Sequence, residues 1–211
     1  MPTITRDKKL TIVISFFNVD KKNLVALINA QIENSQKMME KKGFVSVNLH
    51  KSYDGLSVVN YSQWSTYNSY NAATNVRNFD DPQISEKIFE IAEQDSNIYE
   101  LVFSAGSNPA TISKNATLIT VINKFSVEPN NQNMLLKYLD DLRMVVEKLT
   151  GFISANVHKS IDGTRVVSYA QWKSKENYQA VYTNLEAKHH LDEIKKISKF
   201  NWNFYEVVYT T

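Results

Sequence analysis

The chain contains one long internal repeat, and this repeat constrains its fold more than any other feature. It joins residues 43–64, GFVSVNLHKSYDGLSVVNYSQW, to residues 151–172, GFISANVHKSIDGTRVVSYAQW, with fourteen of twenty-two positions identical at a constant offset of 108. The same offset carries Tyr70 onto Tyr178, whereas an offset of 106 aligns the ends of the copies, so the second copy has lost two residues. A period of this size corresponds to one small domain, since solenoid repeats span roughly 20–50 residues. The sequence therefore predicts two homologous domains.

A short segment rich in Gly, Ser, Asn and Pro separates the two copies. It comprises residues 104–115 and reads SAGSNPATISKN. Residues of these types favour turns and do not build a packed face. We therefore predict a first domain over residues 1–104, a linker over residues 105–115 and a second domain over residues 116–211.

The composition excludes several classes of function. Twenty-four Lys and Arg against 22 Asp and Glu give a net charge of +2, which does not favour a nucleic-acid or membrane-surface partner. The absence of Cys excludes disulfides, thiolate metal sites, iron–sulfur clusters and cysteine nucleophiles. The N-terminus lacks the pattern of a signal peptide, and no apolar run reaches the ~18 residues of a membrane span. We therefore predict a cytoplasmic protein that binds neither nucleic acid nor membranes.

Each copy opens with a predicted strand and a predicted helix. The strands, at residues 10–19 and 118–127, are rich in β-branched and aromatic residues. In the segments that follow, apolar residues recur at three- and four-residue steps, which is typical of an amphipathic helix. Gly43 and Gly151 are predicted to end these helices at the C′ position.

The rest of each copy contains a hairpin, a second helical region and a closing strand. The dipeptide Asp54-Gly55, repeated in the second copy, marks the hairpin turn. In the first copy Asp81 is predicted as the N-cap of a helix with Pro82 at its first position. The closing strands are predicted at residues 98–103 and 204–209. The order β-α-β-β-α-β is that of a ferredoxin-like domain.

Two such domains can cover each other. A sheet with helices on one face leaves its other face bare, so two sheets placed face to face form an eight-stranded barrel with the helices outside. The predicted fold class is therefore α+β, with two tandem ferredoxin-like βαββαβ domains forming a dimeric α+β barrel within one chain. We expect this pseudo-dimer to enclose a cavity. Its further association into a homodimer stays open.

The hairpin turn decides which side chains line that cavity, because a shift of one residue moves every cross-strand partner to the other face. A two-residue loop places the apolar side chains of the first hairpin strand on one face with Asn60 and Trp64. A three-residue loop places Asn48 and His50 on that face instead, opposite the apolar set. The second alternative separates a polar face from an apolar face in both copies. We therefore prefer it and predict that the polar face lines the cavity.

The hairpin and the helix after it carry a specific signature. Both copies follow the run GFxSxxxHxSxDGxxVVxYxQWxSxxxY, in which the first copy has Thr66 where the second has Ser174. This run resembles the antibiotic biosynthesis monooxygenase family, and within it the aromatic-polyketide anthrone monooxygenases. The resemblance implies a dimeric α+β barrel that oxidises a small aromatic substrate with O2 and needs no cofactor.

The resemblance also implies the residues of the site. In such enzymes an Asn and a Trp on the third strand, and a Tyr on the next helix, face the substrate. The matching catalytic residues are Asn60, Trp64 and Tyr70 in the first copy, and Trp172 and Tyr178 in the second. The predicted substrate-binding residues are Asn48, His50, Asn156 and His158, with Ser168 at the position of the Asn in the second copy. The family's Arg is missing, since Ile84 and Asp192 stand twenty residues after the two Trp residues.

These residue types are compatible with the implied chemistry. Trp64 and Tyr70 are expected to stack on the substrate ring. Asn60 is expected to donate a hydrogen bond to a developing oxyanion or peroxide, and His50 or Tyr70 to relay the proton. The deprotonated substrate passes an electron directly to oxygen, so the resemblance implies neither a flavin nor a metal.

Alternative interpretations exist for several of these residues. Trp64 and Trp172 also suit a packed core, and a His near a turn is often solvated. The adjacent His189 and His190 look like a metal pair, but neighbouring residues on a helix point about 100° apart. We therefore expect them on a solvated helix face and predict no metal site.

Three other functions compete with the oxygenase. A non-catalytic module that binds an aromatic ligand or another protein would explain the missing Arg. Haem degradation, known in a branch of the same superfamily, would use Asn123, but Ala73 and Val181 stand where that branch has a helical Trp. RNA-recognition domains share the element order, but their basic-aromatic strand motif is absent here.

Overall fold

The computed structural model describes residues 1–6, 9–75, 82–107, 109–114 and 117–211. In chain order the elements are β1 (Thr3–Ile4), β2 (Thr11–Val19), α1 (Leu24–Met39), β3 (Phe44–Ser52), β4 (Ser57–Trp64), α2 (Tyr67–Thr74), α3 (Pro82–Ile91), β5 (Ala92–Gly106), β6 (Ala110–Thr111), β7 (Ile119–Val127), α4 (Gln132–Val146), β8 (Phe152–Ser160), β9 (Arg165–Trp172), α5 (Lys175–Thr183), α6 (Leu185–Ile197) and β10 (Ser198–Thr210). Elements β2 to β5 with their helices form the first half, and β7 to β10 with theirs form the second half. Within these ranges no helix is long and apolar enough to cross a membrane.

The predicted β-α-β-β-α-β order is confirmed in both halves, with the second helical region divided into two helices each time. Pro82 is the first residue of α3, as predicted, whereas the proposed N-cap Asp81 lies outside the described residues. The predicted C′ role of Gly43 and Gly151 is wrong, because α1 and α4 end several residues earlier with Glu40 and Glu147 as C-caps.

Position 43 requires glycine because its backbone lies close to α2, and not because a helix ends there. It has a φ of 85°, and a Cβ at this position would overlap the side chain of Ser69 at the start of α2. Gly151 has a φ of 82° and meets Asn177 of α5 in the same way. The two glycines therefore allow the turn before β3 and β8 to pack against the helix that follows each hairpin.

The eight long strands close into one antiparallel barrel in the order β10-β3-β4-β2-β5-β8-β9-β7. The halves join at two seams, where β5 pairs with β8 and β10 pairs with β3. Both closing strands are longer than the sequence predicts. Each pairs first with the opening strand of its own half and then with the other half. The first part of β5 is polar and carries no apolar alternation, whereas the first part of β10 does alternate, through Phe200, Trp202 and Phe204, and the prediction missed it. The tandem pseudo-dimeric α+β fold is thus confirmed.

Side chains from both halves fill the interior of the barrel. The buried cluster inside includes Tyr61, Tyr99, Tyr169 and Tyr205 together with Ile, Val and Phe side chains of the strands. An eight-stranded barrel is just wide enough for side chains to fill it. The predicted cavity in the barrel interior is therefore wrong, because the tyrosines occupy that space.

The preferred register of the hairpin is also wrong. Asn48 stands opposite Tyr61 and His50 opposite Val59, whereas Asn60 stands opposite Leu49. This is the register of the two-residue alternative, and β8 and β9 repeat it. The polar face points into the barrel, where Asn48, His50, Asn156 and His158 each have a hydrogen-bond partner on another strand. Burial of polar side chains is tolerated when such partners are present, so polarity did not mark the cavity face.

Two short strands close one end of the barrel. Strand β1 pairs with β6, and the adjacent Ile4 and Ile112 are fully buried against the barrel interior. The amides of Gln63 and Gln171 donate to the carbonyl oxygens of Thr3 and Thr111 at 3.0 and 2.8 Å. Strand β6 lies in the segment predicted as a linker, so part of that segment packs on the barrel. The domain boundaries stay a prediction.

Gly106 gives a test of the seam between the halves. It has a φ of 69°, and a Cβ there would overlap the backbone carbonyl of Ile153. We expect Gly106→Ala to lower the free energy of unfolding by about 2–3 kcal/mol in urea titrations, since strain and overlap add. In the control Gly55→Ala, φ is 74° but the nearest atom is Leu24 Cδ2 at 3.5 Å, so about 1 kcal/mol is expected. Equal losses would contradict this account of the seam.

Candidate functional site

A cavity with a volume of about 500 Å³ lies in the first half, between the outer face of the barrel and the helices. Strands β2, β4 and β5 form its floor, and α1, α2 and α3 form its walls. The residues that line it are Val13, Ser15, Phe17, Gln31, Asn34, Ser35, Met38, Phe44, Val47, Asn60, Ser62, Trp64, Tyr70, Thr74, Ser85, Glu86, Ile88, Phe89, Gln94 and Ser96. We term it the first cavity.

A row of polar side chains crosses its floor. The strand register places Asn60, Ser15 and Ser96 side by side on β4, β2 and β5. The hydroxyls of Ser15 and Ser96 lie 2.7 Å apart. Asn60 Nδ2 donates to Gln31 Oε1 of α1 at 3.1 Å, while Asn60 Oδ1 is buried without a hydrogen-bond partner among the described residues. The floor therefore offers a free acceptor to a bound molecule.

Aromatic rings form the other end of the cavity. Trp64 is 2% exposed, with Phe44 at a ring-centroid distance of 5.3 Å and Tyr70 at 5.7 Å, both edge-on. Its indole nitrogen Nε1, which can only donate, is buried and has no partner in the described part of the chain. Buried polar groups are nearly always paired, so this unpaired donor is available to a molecule bound in the first cavity.

The helix after the hairpin fixes Tyr70 over this indole. The hydroxyl of Thr66 caps α2 by accepting from the backbone N–H of Ser69 at 3.1 Å, one turn before Tyr70. Burial raises the pKa of Tyr70, so its phenol stays protonated at neutral pH. Tyr70 is therefore suited to donate a hydrogen bond rather than to remove a proton.

The equivalent space in the second half is largely filled. Its cavity has a volume of about 80 Å³. Larger or apolar side chains replace those of the first cavity: Leu139 for Gln31, Leu142 for Asn34, Arg143 for Ser35, Tyr182 for Thr74, Phe200 for Gln94 and Trp202 for Ser96. The phenol of Tyr178 donates to Asn123 Oδ1 at 3.1 Å, and its ring lies 5.1 Å from that of Trp202. Tyr178 is thus held by protein groups.

The residues predicted from the sequence fall into three places. Asn60, Trp64 and Tyr70 come together in the first cavity. Ser168, Trp172 and Tyr178 come together in the small cavity of the second half. Asn48, His50, Asn156 and His158 face the barrel interior instead and line neither cavity.

The two interior histidines pair with tyrosines across the halves. His50 Nε2 lies 3.1 Å from Tyr169 Oη, and His158 Nε2 lies 3.1 Å from Tyr61 Oη. Burial lowers the pKa of both histidines from 6.5 to about 4, so they are neutral at pH 7. The predicted proton relay through His50 does not fit this position. His50 points into the barrel interior, whereas the first cavity lies on the outer face of the barrel.

Sequence reasoning missed Gln31, the hydrogen-bond partner of Asn60, and the two serines beside Asn60 on the cavity floor. Gln31, Ser15 and Ser96 line the cavity, yet none belongs to the signature run. A comparison of the two copies contains the signal, because Gln31 is aligned with Leu139 and Ser96 with Trp202. His189 and His190 are adjacent on α6, and no group of three metal-ligating side chains is found in the described ranges.

Known proteins resemble this chain in sequence and in structure. Residues 118–191 match the family model described as antibiotic biosynthesis monooxygenase. Tetracenomycin-F1 monooxygenase of Streptomyces glaucescens is 34% identical over 102 residues, which cover 48% of this chain and 91% of that protein.

Among solved structures, an anthrone oxidase-like protein has a TM-score of 0.85 at 22% identity, with 100% of this chain and 96% of that chain covered. A monooxygenase-like protein from Listeria innocua has a TM-score of 0.52 at 13% identity, with 94% of each chain covered. At these identities the structural matches show the shared fold.

Proposed function

This chain belongs to the antibiotic biosynthesis monooxygenase family, and from that membership we propose that it oxidises an aromatic quinol or anthrone-like polyketide with O2, without a cofactor. The observation that carries the proposal is the first cavity, in which Trp64 Nε1 and Asn60 Oδ1 are buried without a partner among the described residues. The relative that acts on tetracenomycin F1, as its name states, supports a polycyclic aromatic substrate.

The first cavity suits a flat, mostly apolar molecule. Its volume of about 500 Å³ lies within the range of roughly 300–1,000 Å³ that is usual for small-molecule sites. Phe44, Trp64 and Tyr70 supply apolar ring edges and faces, and the polar row on the floor supplies a few fixed hydrogen-bonding groups. This division between apolar walls and sparse polar groups is typical of sites that orient an aromatic ligand.

The proposed reaction converts a ring methylene into a carbonyl. The methylene loses a proton, the resulting enolate gives one electron to O2, and the two radicals combine into a peroxide at that carbon. The peroxide anion takes up a proton, which replaces the one removed from the methylene, and loss of water with the second hydrogen of that carbon leaves the carbonyl, so CH2 and O2 become C=O and H2O. The indole N–H of Trp64 and the protonated phenol of Tyr70 would stabilise the negative charge on oxygen during these steps.

We propose that the first half alone performs this reaction. The space in the second half is about 80 Å³, below the range of small-molecule sites. Its Tyr178 hydroxyl already donates to Asn123, and Ser168 replaces the Asn. The second half would then act by completing the barrel that supports the first cavity.

The proposal is tested by oxygen uptake with ¹⁸O2. Chelator-treated protein is supplied with a panel of anthrones and naphthoquinols, and both oxygen consumption and product mass are measured. With an anthrone we expect one O2 consumed per carbonyl formed and one ¹⁸O atom in the product. A panel member that binds but is not oxidised faster than in buffer would overturn the enzymatic proposal. This outcome would favour a non-catalytic binding module, an alternative that the missing family Arg also supports.

A further inference from the structure

We propose that Gln31 is a positioning residue, which holds the side-chain amide of Asn60 so that its carbonyl oxygen accepts a hydrogen bond from a hydroxyl group of the substrate. The inference rests on the proposed function, which it deepens by assigning a recognition element for the substrate. It also changes the role predicted for Asn60. The sequence predicts that Asn60 donates a hydrogen bond to an oxyanion, whereas here it accepts one from the substrate.

A hydrogen bond between α1 and β4 is the first observation that supports this role of Gln31. Gln31 is 2% exposed and lies on the buried face of α1 with Leu27 and Ser35. Its Oε1 accepts from Asn60 Nδ2 at 3.1 Å. One end of the Asn60 amide is thereby fixed to the helix, and the other end, Oδ1, is the buried atom that has no partner in the described residues.

The second half supplies the comparison. At the two equivalent positions it has Leu139 and Ser168, so both members of the amide pair are replaced together. Leu139 is buried in the apolar core of that half, which shows that an apolar side chain packs well at this helix position. A buried amide costs free energy unless it is hydrogen-bonded, and Asn is depleted in strands. The pair is therefore explained by the site rather than by packing.

The two ends of the first cavity offer different hydrogen-bonding groups, an acceptor on Asn60 and a donor on Trp64. Asn60 and Trp64 stand four residues apart on the same face of β4, about 13 Å at ~3.3 Å per residue. The floor thus presents an acceptor at one end of the cavity and a donor at the other. A matching ligand is elongated and flat, with a hydroxyl at the end near Asn60 and a carbonyl or oxyanion near Trp64.

Ligand binding tests the inference without turnover. We would titrate the protein with 2-hydroxyanthraquinone, 2-methoxyanthraquinone and anthraquinone and follow the quenching of tryptophan fluorescence. The wild type is expected to bind the hydroxyl ligand about tenfold more tightly than the other two, the factor that one net hydrogen bond supplies. Gln31→Leu is expected to reduce this preference to about twofold or less.

A double-mutant cycle separates positioning from a merely structural effect. If Gln31 acts through Asn60, then Gln31→Leu has no further effect on the preference once Asn60→Ser is present. The double variant reproduces the Leu139 and Ser168 pair of the second half, so it is expected to fold, and urea titrations check this.

Three outcomes overturn the inference. These are a wild type without the hydroxyl preference, an unchanged preference in Gln31→Leu, and an equal loss in both backgrounds. Oxygen uptake is measured separately, so hydroxyl-selective binding without turnover overturns the proposed function and supports the role of Gln31. Turnover without hydroxyl selectivity does the reverse.

Discussion

Replacing Trp64 with Phe is expected to lower kcat/KM for oxygen uptake about a hundredfold, the usual effect of removing one donor to a developing oxyanion. Phe keeps an aromatic ring beside Phe44 and Tyr70 but lacks the indole N–H, which is buried and unpaired in the described structure. Because the negative charge on oxygen develops only during the reaction, the hydrogen bond from that N–H is stronger then than in the substrate complex, and we expect kcat to fall more than KM rises.

The second half provides a matched control for this substitution. Trp172 has the same surroundings, with Phe152 at 5.3 Å and Tyr178 at 5.7 Å, and its indole nitrogen is likewise without a partner among the described residues. Trp172→Phe should therefore change stability by about as much as Trp64→Phe, yet leave kcat/KM within about twofold. Equal losses of activity in the two variants would contradict a single site in the first half.

The second large effect is expected from acid. In the folded protein burial lowers the pKa of His50 and His158 to about 4, against 6.5 for an exposed histidine. The unfolded chain therefore binds more protons between these values, and the free energy of unfolding falls as the pH drops from about 6.5 to 4. The loss is expected to reach about 3 kcal/mol per histidine at pH 4, and urea titrations at several pH values measure it.

A single substitution isolates one histidine. Gln at position 50 can still accept a hydrogen bond from the phenol of Tyr169, which lies 3.1 Å from His50 Nε2, but it does not titrate. His50→Gln should lower the free energy of unfolding at pH 7 and remove about half of the loss between pH 6.5 and 4. If the slope in this window stays that of the wild type, the interior histidines are not its origin.

Much of the fold can be predicted from the sequence, because its evidence is local or repeated. The offset of 108 aligns whole domains, and the period of apolar residues distinguishes the strands from the helices. The register of the hairpin, in contrast, depends on contacts between residues that are distant in the sequence. His50 is buried against Tyr169, which is 119 residues away, so no local pattern reveals that a polar strand face is satisfied inside the barrel.

The features of the site also divide into those that the sequence identifies and those that only the folded structure shows. Asn60, Trp64 and Tyr70 belong to one contiguous signature, and the resemblance identifies them together. Gln31 contacts Asn60 across the space between a helix and a strand, and this contact exists only after the two have packed. The difference in size between the two cavities likewise depends on substitutions spread over three elements of the second half, α4, α5 and β10.

The covalent joining of the halves has a consequence for how such a protein can change. In a pair of identical subunits, one codon specifies a residue in both sites, so a substitution that fills one cavity fills the other. Here Gln31 and Leu139, or Ser96 and Trp202, are encoded separately although they occupy equivalent places. One half can therefore become a tightly packed support, with aromatic rings where its own ligand would lie, while the other keeps an open site.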